Sequence, residues 1–305
     1  MPSLGVFGSA IVRAPGSCGE LVQGVNERGY FLVSCPVDFY SRVKVELRHP
    51  ADDGGETQVE TPPGLDKTAE AVKATLAHLN RRGMNVRVEV RNPIPKSKGL
   101  GSSSADVTAA IAATALALGR ELNPEEIGRL AITVEPTDGV MFPGIALFDH
   151  RDGRTMEALG PPPPMEIVAL DFGGTVDTLE FNRTDRRRLW ESISREIGEA
   201  LDLVRRGVAQ GDPELVGRGA SISAQACQKV LAKPQLDQVM GFAKKVGAVG
   251  VNVAHSGTII GVLLDARQRR GLSVFRQAKQ TFPQSETIHH FRLLGGGLRR
   301  VDSDE

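Results

Sequence analysis

Alternation of apolar and charged side chains predicts two half-buried strands. In residues 41–49, Val43, Val45 and Leu47 alternate with charged residues, and in residues 85–91 three valines alternate with polar residues. A period of two residues puts the apolar side chains of a strand on one face. We therefore expect both segments to lie in a sheet with one solvated face.

Compact runs of apolar and β-branched residues predict the remaining strands. They cover residues 6–13, 30–34, 144–149, 165–172, 248–253, 257–264 and 287–294. Gly and Pro residues predict a loop over residues 54–64, and Gly295 to Gly297 predict a loose, charged C-terminal tail.

Helical spacing of apolar residues and terminal signals predict the helices. They cover residues 66–82, 105–118, 124–135, 183–206, 213–231, 234–246 and 266–279. Asn123 is a typical N-cap, Pro124 suits the first helical turn, and Pro136 requires that helix to end near Glu135.

The order of elements indicates an α+β protein. Strands and helices alternate without a strict βαβ rhythm, which favours two layers per domain. The four prolines of residues 161–164 form a stiff linker. We therefore predict an N-terminal domain, residues 1–160, and a C-terminal domain, residues 165–305.

Composition excludes several classes of protein. Lys plus Arg equals Asp plus Glu at 37 each, so no overall basic field attracts nucleic acid. The longest apolar run, residues 107–118, is shorter than the ~20 residues that cross a bilayer. The N-terminus shows no secretory signal. Cys18, Cys35 and Cys227 lack metal-ligand spacing and suit free thiols in a reducing, cytoplasmic environment.

A glycine- and serine-rich stretch before an alanine-rich helix predicts a phosphate site. We call it the Gly-Ser loop; it comprises Pro95, Lys96, Ser97, Lys98, Gly99, Leu100, Gly101, Ser102, Ser103 and Ser104. Free backbone N–H groups converge at a helix N-terminus, and glycine lets the chain approach an anion. The serines at 102–104 are expected at the N-cap. The spacing fits neither a P-loop nor a dinucleotide fingerprint.

Two further segments have an unusual composition. The N-terminal motif, residues 14–24, places Glu20 between Gly19 and Leu21, where a carboxylate needs a hydrogen-bonding partner. The C-terminal motif, residues 247–258, reads as two strands joined by a polar turn. Without other signals, a tight turn would explain the first and a plain hairpin the second.

The three segments, in this order, resemble the three conserved motifs of the GHMP small-molecule kinases. The resemblance covers the whole chain and implies the GHMP-kinase two-domain fold: an N-terminal domain like domain 2 of ribosomal protein S5 and a ferredoxin-like C-terminal α/β sandwich. It implies ATP held by the Gly-Ser loop; Lys96 and Lys98 are candidates to add charge, with solvated loop lysines as the preferred alternative. It also implies Mg²⁺ on Ser103 and Glu135.

The resemblance also implies roles for the acceptor site. Asp138 would take or orient the proton of the acceptor hydroxyl; whether it is a true base stays open, because Ser17 stands where many members carry lysine. The expected substrate residues are Ser17, Cys18, Gly19, Glu20, Asp138, His255, Ser256 and Thr258. Glu20 is the candidate partner of a substrate ammonium. Arg13 and the hydroxyl and imidazole groups of that set are unranked candidates for a carboxylate.

Within the superfamily, three short motifs are most similar to the L-threonine kinases of cobalamin biosynthesis. They are Pro-Gly-Ser-Cys-Gly-Glu-Leu-Val-Gln-Gly, Glu-Pro-Thr-Asp and His-Ser-Gly-Thr. This similarity implies ATP and L-threonine as partners, with no nucleic acid or membrane, and allows for a homodimer. A kinase for a related substrate such as homoserine and a non-catalytic GHMP-fold binding protein remain the alternatives.

Overall fold

The structure, a computed structural model, describes residues 6–48, 56–174 and 186–302. The strands are β1 Val6–Asn26, β2 Gly29–Arg48, β3 Gln58–Glu60, β4 Asn85–Arg91, β5 Ile145–Phe148, β6 Met156–Gly160, β7 Met165–Asp171, β8 Gly250–Val253, β9 Ile259–Asp265, β10 Thr287–Arg292 and β11 Arg299–Val301. The helices are α1 Asp66–His78, α2 Ser102–Ala117, α3 Pro124–Val134, α4 Arg187–Glu191, α5 Ser194–Gln210, α6 Pro213–Ala226, α7 Leu236–Lys245 and α8 Gly271–Thr281. The α+β class predicted from the sequence is confirmed.

One sheet runs through the described part of the molecule. Its main strand order is β10-β7-β9-β8-β1-β2-β4-β3, with β11 paired to β1 and β5 paired to β2 and β6. The helix α2 packs against β1 and β2 and is buried along nearly its whole length. Its alanines allow this close approach. The start of α2, where the Gly-Ser loop ends, is therefore fixed against the centre of the sheet.

The first two strands are longer than the sequence pattern predicted. The pattern predicted separate strands over residues 6–13, 30–34 and 41–49. A tight turn was the alternative explanation of the N-terminal motif. Instead β1 continues through the motif and pairs with β2, with register shifts between Pro15 and Gly16 and on both sides of Glu20. β-Bulges of this kind bend a strand and redirect its side chains. The alternative explanation of a tight turn is therefore wrong.

Three short strands, β3, β6 and β11, have no clear sequence signal. The tail predicted to be loose contains β11, which pairs residues 299–301 with residues 11–13 of β1. Such a pair depends on backbone hydrogen bonds, so its charged side chains give no periodic pattern. The glycines before it pack closely: a Cβ at Gly296 would lie 2.6 Å from Phe142 O. The prediction for the tail is therefore wrong.

The helix boundaries are mostly close to the predicted ones, but the single helix predicted over residues 183–206 is wrong: its described part forms two helices, α4 and α5. At α3 the predicted cap is confirmed: Asn123 and Glu126 form a reciprocal capping box, and the helix ends before Glu135. At α2 the predicted serine cap is wrong. Its N-cap is Gly101 in the left-handed region, while the Ser102 hydroxyl donates to Ile94 O at 2.9 Å.

Some predictions concern residues outside the described ranges, and the division into two domains is not tested by the structure. The loop expected at Gly54 and Gly55 and the start of the helix predicted from residue 183 lie outside them. The proline run lies between β6 and β7, and the division into residues 1–160 and 165–305 stays a prediction. The pairing of β1 with β8 and β11 links the two predicted domains. Among the described helices, none is long and apolar enough to cross a membrane.

Backbone hydrogen bonds hold the Gly-Ser loop between the other two motifs. From one side, Ser17 N and Gly19 N donate to Leu100 O and Gly99 O, each at 3.0 Å. From the other side, the N–H groups of Thr258 and Ile259 donate to Lys98 O at 2.9 and 3.1 Å. The three motifs identified in the sequence therefore meet through their main chains.

Glycine makes this approach between main chains feasible. A Cβ at Gly257 would lie 2.3 Å from Gly99 N, and a Cβ at Gly99 would lie 2.2 Å from Ala254 Cβ. Gly99 also has a φ of +86°, which L side chains rarely adopt. Any side chain at these positions would push the C-terminal motif away from the loop.

We predict that Gly257→Ala destabilises the protein by ~1–3 kcal/mol, because the added methyl group overlaps the backbone of Lys98 and Gly99. The matched control is Gly241→Ala, an exposed position in α7 where a Cβ meets nothing within 4 Å. That variant should be neutral or stabilised by up to ~1 kcal/mol, since alanine favours the helix. Urea unfolding measures both. Equal stability of the two variants would show that the loop tolerates separation from the C-terminal motif.

Candidate active site

A cleft of about 510 Å³ lies along the Gly-Ser loop and the start of α2. It collects most of the residues that the sequence predicted for the site. The predicted residues that line it are Glu20, Pro95, Lys96, Ser97, Gly99, Leu100, Gly101, Ser102, Ser103, Ser104, Glu135, Asp138 and Ser256. The predicted residues that do not line it are Ser17, Cys18, Gly19, Lys98, His255 and Thr258. Segments far apart in sequence therefore converge on one cleft.

Ser103 and Glu135 are in direct contact. The Ser103 hydroxyl, in the first turn of α2, donates to Glu135 Oε1. Glu135 follows the last residue of α3 in an extended conformation, with 4% of its side chain exposed. A hydroxyl and one carboxylate suit Mg²⁺, which takes one or two protein oxygens and completes its shell with phosphate and water oxygens. These two residues fit the ion that the sequence predicted for them.

Lys67 is a cleft residue that the sequence reasoning missed. It lies in the first turn of α1, and its Nζ is 2.5 Å from Glu135 Oε2. In the sequence it is one lysine of an amphipathic helix, 68 residues from its partner. No local pattern signals that contact.

Asp138 lies just beyond α3, on the segment that Pro136 turns towards the cleft. Its backbone N–H donates to Ser104 Oγ at 3.0 Å. Burial raises the pKa of its carboxyl group to about 6, the negative charge of Glu135 adds to the shift, and a hydrogen bond with Ser17 opposes it. A carboxyl group with this pKa can accept a proton near neutral pH.

Glu20 is a buried carboxylate with 5% of its surface exposed. Its Oε2 accepts the backbone N–H of His255 at 2.5 Å. Burial raises its pKa well above the usual range, the charge of Asp138 adds to this, and the His255 N–H and the Lys233 ammonium oppose it. The sequence predicted that Glu20 needs a hydrogen-bonding partner, and His255 of the C-terminal motif is that partner.

Lys233 is the second charged residue that the sequence did not reveal. It is 7% exposed, and its ammonium donates to Gly257 O. Burial lowers its pKa to about 8, while the charge of Glu20 opposes the shift. It holds the turn that packs on the Gly-Ser loop and places a positive charge near Glu20. Its preceding segment, between α6 and α7, carries no recognisable motif.

The other residues of the C-terminal motif contact protein groups. His255 Nδ1 lies 2.7 Å from Gln23 Oε1, and its ring stacks on Trp190 with centroids 5.8 Å apart. Burial lowers the pKa of His255 well below its usual range, so the ring is neutral. Thr258 Oγ1 donates to Asp171 at 2.7 Å. Of the predicted carboxylate donors in this motif, only Ser256 lines the cleft.

Lys98 has a different environment from the one expected of a phosphate-binding lysine. Its ammonium lies 2.8 Å from both Asp171 and Glu286, and these carboxylates raise its pKa. The ion pairs join the Gly-Ser loop to β7 and to the segment before β10. Of the two lysines predicted to add charge to the cleft, Lys96 lines it and Lys98 does not.

The predicted substrate residue Cys18 is fully buried. Asn252 Nδ2 donates to its carbonyl oxygen at 2.6 Å, which joins the N-terminal motif to β8. Burial, with the Glu20 charge, raises the pKa of its thiol well above the usual range. A thiol in this environment stays protonated and unreactive. Its place in the fold therefore serves packing.

A larger cavity of about 830 Å³ lies between the turn after β1 and helix α5. Its lining combines apolar side chains such as Phe31 and Leu201 with ion-paired Arg205 and Glu157. None of the residues that the sequence predicted for the site lines it. The predicted site residues that line either cavity therefore all lie in the smaller cleft.

Comparison with known proteins agrees with this arrangement. Residues 66–144 match the family model described as GHMP kinases N terminal domain, and residues 200–284 match GHMP kinases C terminal. An L-threonine kinase from Salmonella typhimurium is 32% identical over 295 residues, which cover 95% of each chain. A homoserine kinase from Moorella thermoacetica is 27% identical over 270 residues, covering 85% of this chain and 88% of the relative.

The fold agrees with this assignment. A crystal structure of homoserine kinase from Cytophaga hutchinsonii superposes with a TM-score of 0.73 at 19% identity, covering 96% of this chain and 97% of that one. The family predicted from three short motifs is confirmed by matches that extend over most of the sequence. The chain belongs to the GHMP kinases, enzymes that use ATP as phosphate donor.

Proposed function

We propose that the protein is an L-threonine kinase that transfers the γ-phosphoryl group of ATP to the side-chain hydroxyl of L-threonine. The product would be O-phospho-L-threonine, the precursor of the aminopropanol linker of cobalamin. The observation that carries this proposal is the 32% identity over 95% of the chain to an L-threonine kinase. The chemistry of the cleft residues supports it.

The Gly-Ser loop would bind the triphosphate. Its last residues form the first turn of α2, where backbone N–H groups lack helical partners and the helix dipole favours an anion. The carbonyl groups of Lys98, Gly99 and Leu100 already accept hydrogen bonds from the neighbouring motifs. The loop is therefore held in shape before a nucleotide binds, which lowers the entropic cost of binding.

Ser103 and Glu135 would hold Mg²⁺. Among the described residues, no cluster of three or more His, Cys, Asp and Glu side chains forms a metal site of its own. An ion bound by two residues would complete its shell with phosphate oxygens and water. When bound, Mg²⁺ neutralises charge on the phosphate oxygens.

Asp138 is the proposed acceptor of the hydroxyl proton. Phosphoryl transfer needs an oriented nucleophile more than a strong base. A carboxylate can both orient the hydroxyl group and accept its proton. Ser17, which stands where many family members carry lysine, interacts with Asp138 through its hydroxyl. Burial therefore adjusts the pKa of Asp138 here without a neighbouring lysine at residue 17.

Glu20 is the proposed partner of the substrate ammonium. It lines the same cleft as Asp138; burial raises the pKa of both carboxyl groups, and the charge of Asp138 adds to the shift of Glu20. A bound ammonium would favour the ionised form of Glu20 through a charge-assisted hydrogen bond. An amino acid with a hydroxyl group therefore suits this cleft, and Ser256, which lines it, is the proposed donor to the substrate carboxylate.

Homoserine is the second candidate substrate. The observation that favours it is the 27% identity to the Moorella thermoacetica homoserine kinase. Both amino acids carry an ammonium, so Glu20 serves either. The hydroxyl of homoserine lies one carbon farther from the amine, so the rates with the two amino acids should differ.

We predict that L-threonine is phosphorylated faster than L-serine or L-homoserine, measured by coupled ADP release. The wild-type enzyme should reject 3-hydroxybutyrate, which lacks the amine, because a site built for a polar group discriminates against analogues without it. Glu20→Gln should raise the KM for L-threonine by ~10- to 100-fold and leave the KM for ATP unchanged. Equal activity with 3-hydroxybutyrate would disprove an ammonium site, and a preference for homoserine would change the proposed substrate.

Ser103→Ala and Glu135→Ala should each lower turnover at least ~100-fold, because each removes a proposed metal ligand worth several kcal/mol. Glu125→Ala, which removes an exposed carboxylate from the first turn of α3, is the charge-matched control and should keep normal turnover. Initial rates are measured as a function of Mg²⁺ concentration. Near-normal turnover of either variant at saturating Mg²⁺ would remove that residue from the metal site.

For Asp138→Asn we expect a fall in kcat of ~10²–10⁴-fold with little change in ATP binding, since a base acts mainly in the transition state. Asp138 must be ionised to accept a proton. The kcat of the wild-type enzyme should therefore fall as pH drops below about 6. The residual kcat of the variant should not show this decrease at low pH. A variant that kept its kcat and lost only threonine affinity would make Asp138 a substrate ligand.

A further inference from the structure

The cleft has more acidic than basic side chains for a site that binds a triphosphate. Its acidic lining residues are Glu20, Asp66, Asp106, Glu135 and Asp138, and its basic lining residues are Lys67 and Lys96. The loop lysine next in line, Lys98, is engaged by two carboxylates outside the cleft. Binding a polyanion here requires that the lysines of the cleft contribute their charge.

Lys67 is well placed to contribute it. Its side chain is 42% exposed, whereas that of its partner Glu135 is 4% exposed. Lysine carries three donors on a flexible four-carbon stem. The ammonium can therefore move to a nearby anion with little loss of buried contact, while Glu135 stays fixed.

The two oxygens of Glu135 have separate partners. Ser103 donates to Oε1, and Lys67 donates to Oε2. A divalent cation shared by Ser103 and Glu135 would lie close to the Lys67 ammonium, and the two positive charges repel. The same charge of Glu135 therefore attracts both the lysine and the metal ion.

We propose that Lys67 binds a phosphate group of the nucleotide, with the Glu135 carboxylate and the phosphate oxygens as its alternative partners. A metal ion bound to Glu135 weakens the contact of Lys67 with Glu135 and favours its contact with the phosphate. This inference rests on the proposed function, in that it takes the cleft to bind ATP and a divalent cation. It concerns one residue that neither the motifs nor the family resemblance assigned.

The proposal is tested by two binding measurements on Lys67→Met. Binding of Mn²⁺ to the protein without nucleotide is measured by electron paramagnetic resonance, and binding of ATP at saturating Mg²⁺, without L-threonine, is measured by calorimetry. The variant should bind Mn²⁺ up to about tenfold more tightly, because a competing positive charge is gone. It should bind ATP about 10- to 100-fold more weakly, because a charge-assisted contact is gone.

Two further variants complete the design. Lys73→Met removes an exposed lysine from the same helix and outside the cleft, so it should change neither affinity. Lys67→Arg keeps a positive charge and should retain most of the ATP affinity. Thermal unfolding of both methionine variants shows whether either substitution changes the stability of the protein. A change in stability is thereby distinguished from a change in binding.

The opposite signs of the two effects distinguish the explanations. If Lys67→Met weakened both Mn²⁺ and ATP binding, Lys67 would only orient Glu135, and unchanged affinities would make it a bystander; either result overturns the proposal. A protein that bound Mn²⁺ and ATP as expected but did not phosphorylate L-threonine would overturn the proposed substrate and leave this inference standing.

Discussion

The arrangement of this cleft depends on main-chain contact between three distant segments. Lys98, Gly99 and Leu100 each use their carbonyl oxygen to accept backbone hydrogen bonds from β1 or from the start of β9 and the residue before it. The approach is close enough that glycine is required on both sides of the contact. With those carbonyl groups occupied, the loop conformation is set by the sheet. The Gly-Ser loop, the proposed phosphate-binding element, is therefore fixed to the two motifs beside it.

Electrostatic repulsion is the second determinant of the site. Burial raises the pKa values of Glu20 and Asp138, and the charge of Glu135 acts on Asp138 in the same direction. Buried carboxyl groups that repel one another favour the binding of cationic groups, because each positive charge relieves a cost already present. Lys233 supplies part of that charge. The remaining excess of negative charge supports the proposal that a zwitterionic substrate and a metal ion bind in the same cleft.

Local chemistry made part of this arrangement predictable. The boundaries of α3 follow from Asn123, Pro124 and Pro136, and β4 follows from its alternating valines; each signal acts within a few residues. The roles of Lys67 and Lys233 could not be predicted, because their partners lie elsewhere in the chain. The continuation of β1 through the N-terminal motif was missed for a related reason. A bulged strand surrounded by protein needs no alternating pattern, and its glycines imitate a turn.

The position of β11 has a consequence for biosynthesis. Residues 299–301 cover an edge of β1 at residues 11–13. A ribosome adding ~5–20 residues per second needs roughly 15–55 seconds to proceed from the end of β1 to β11. During that interval the nascent chain carries an uncovered strand edge, the feature that promotes pairing between neighbouring chains on a polysome. This edge of β1 is therefore covered only after residues 299–301 have left the exit tunnel.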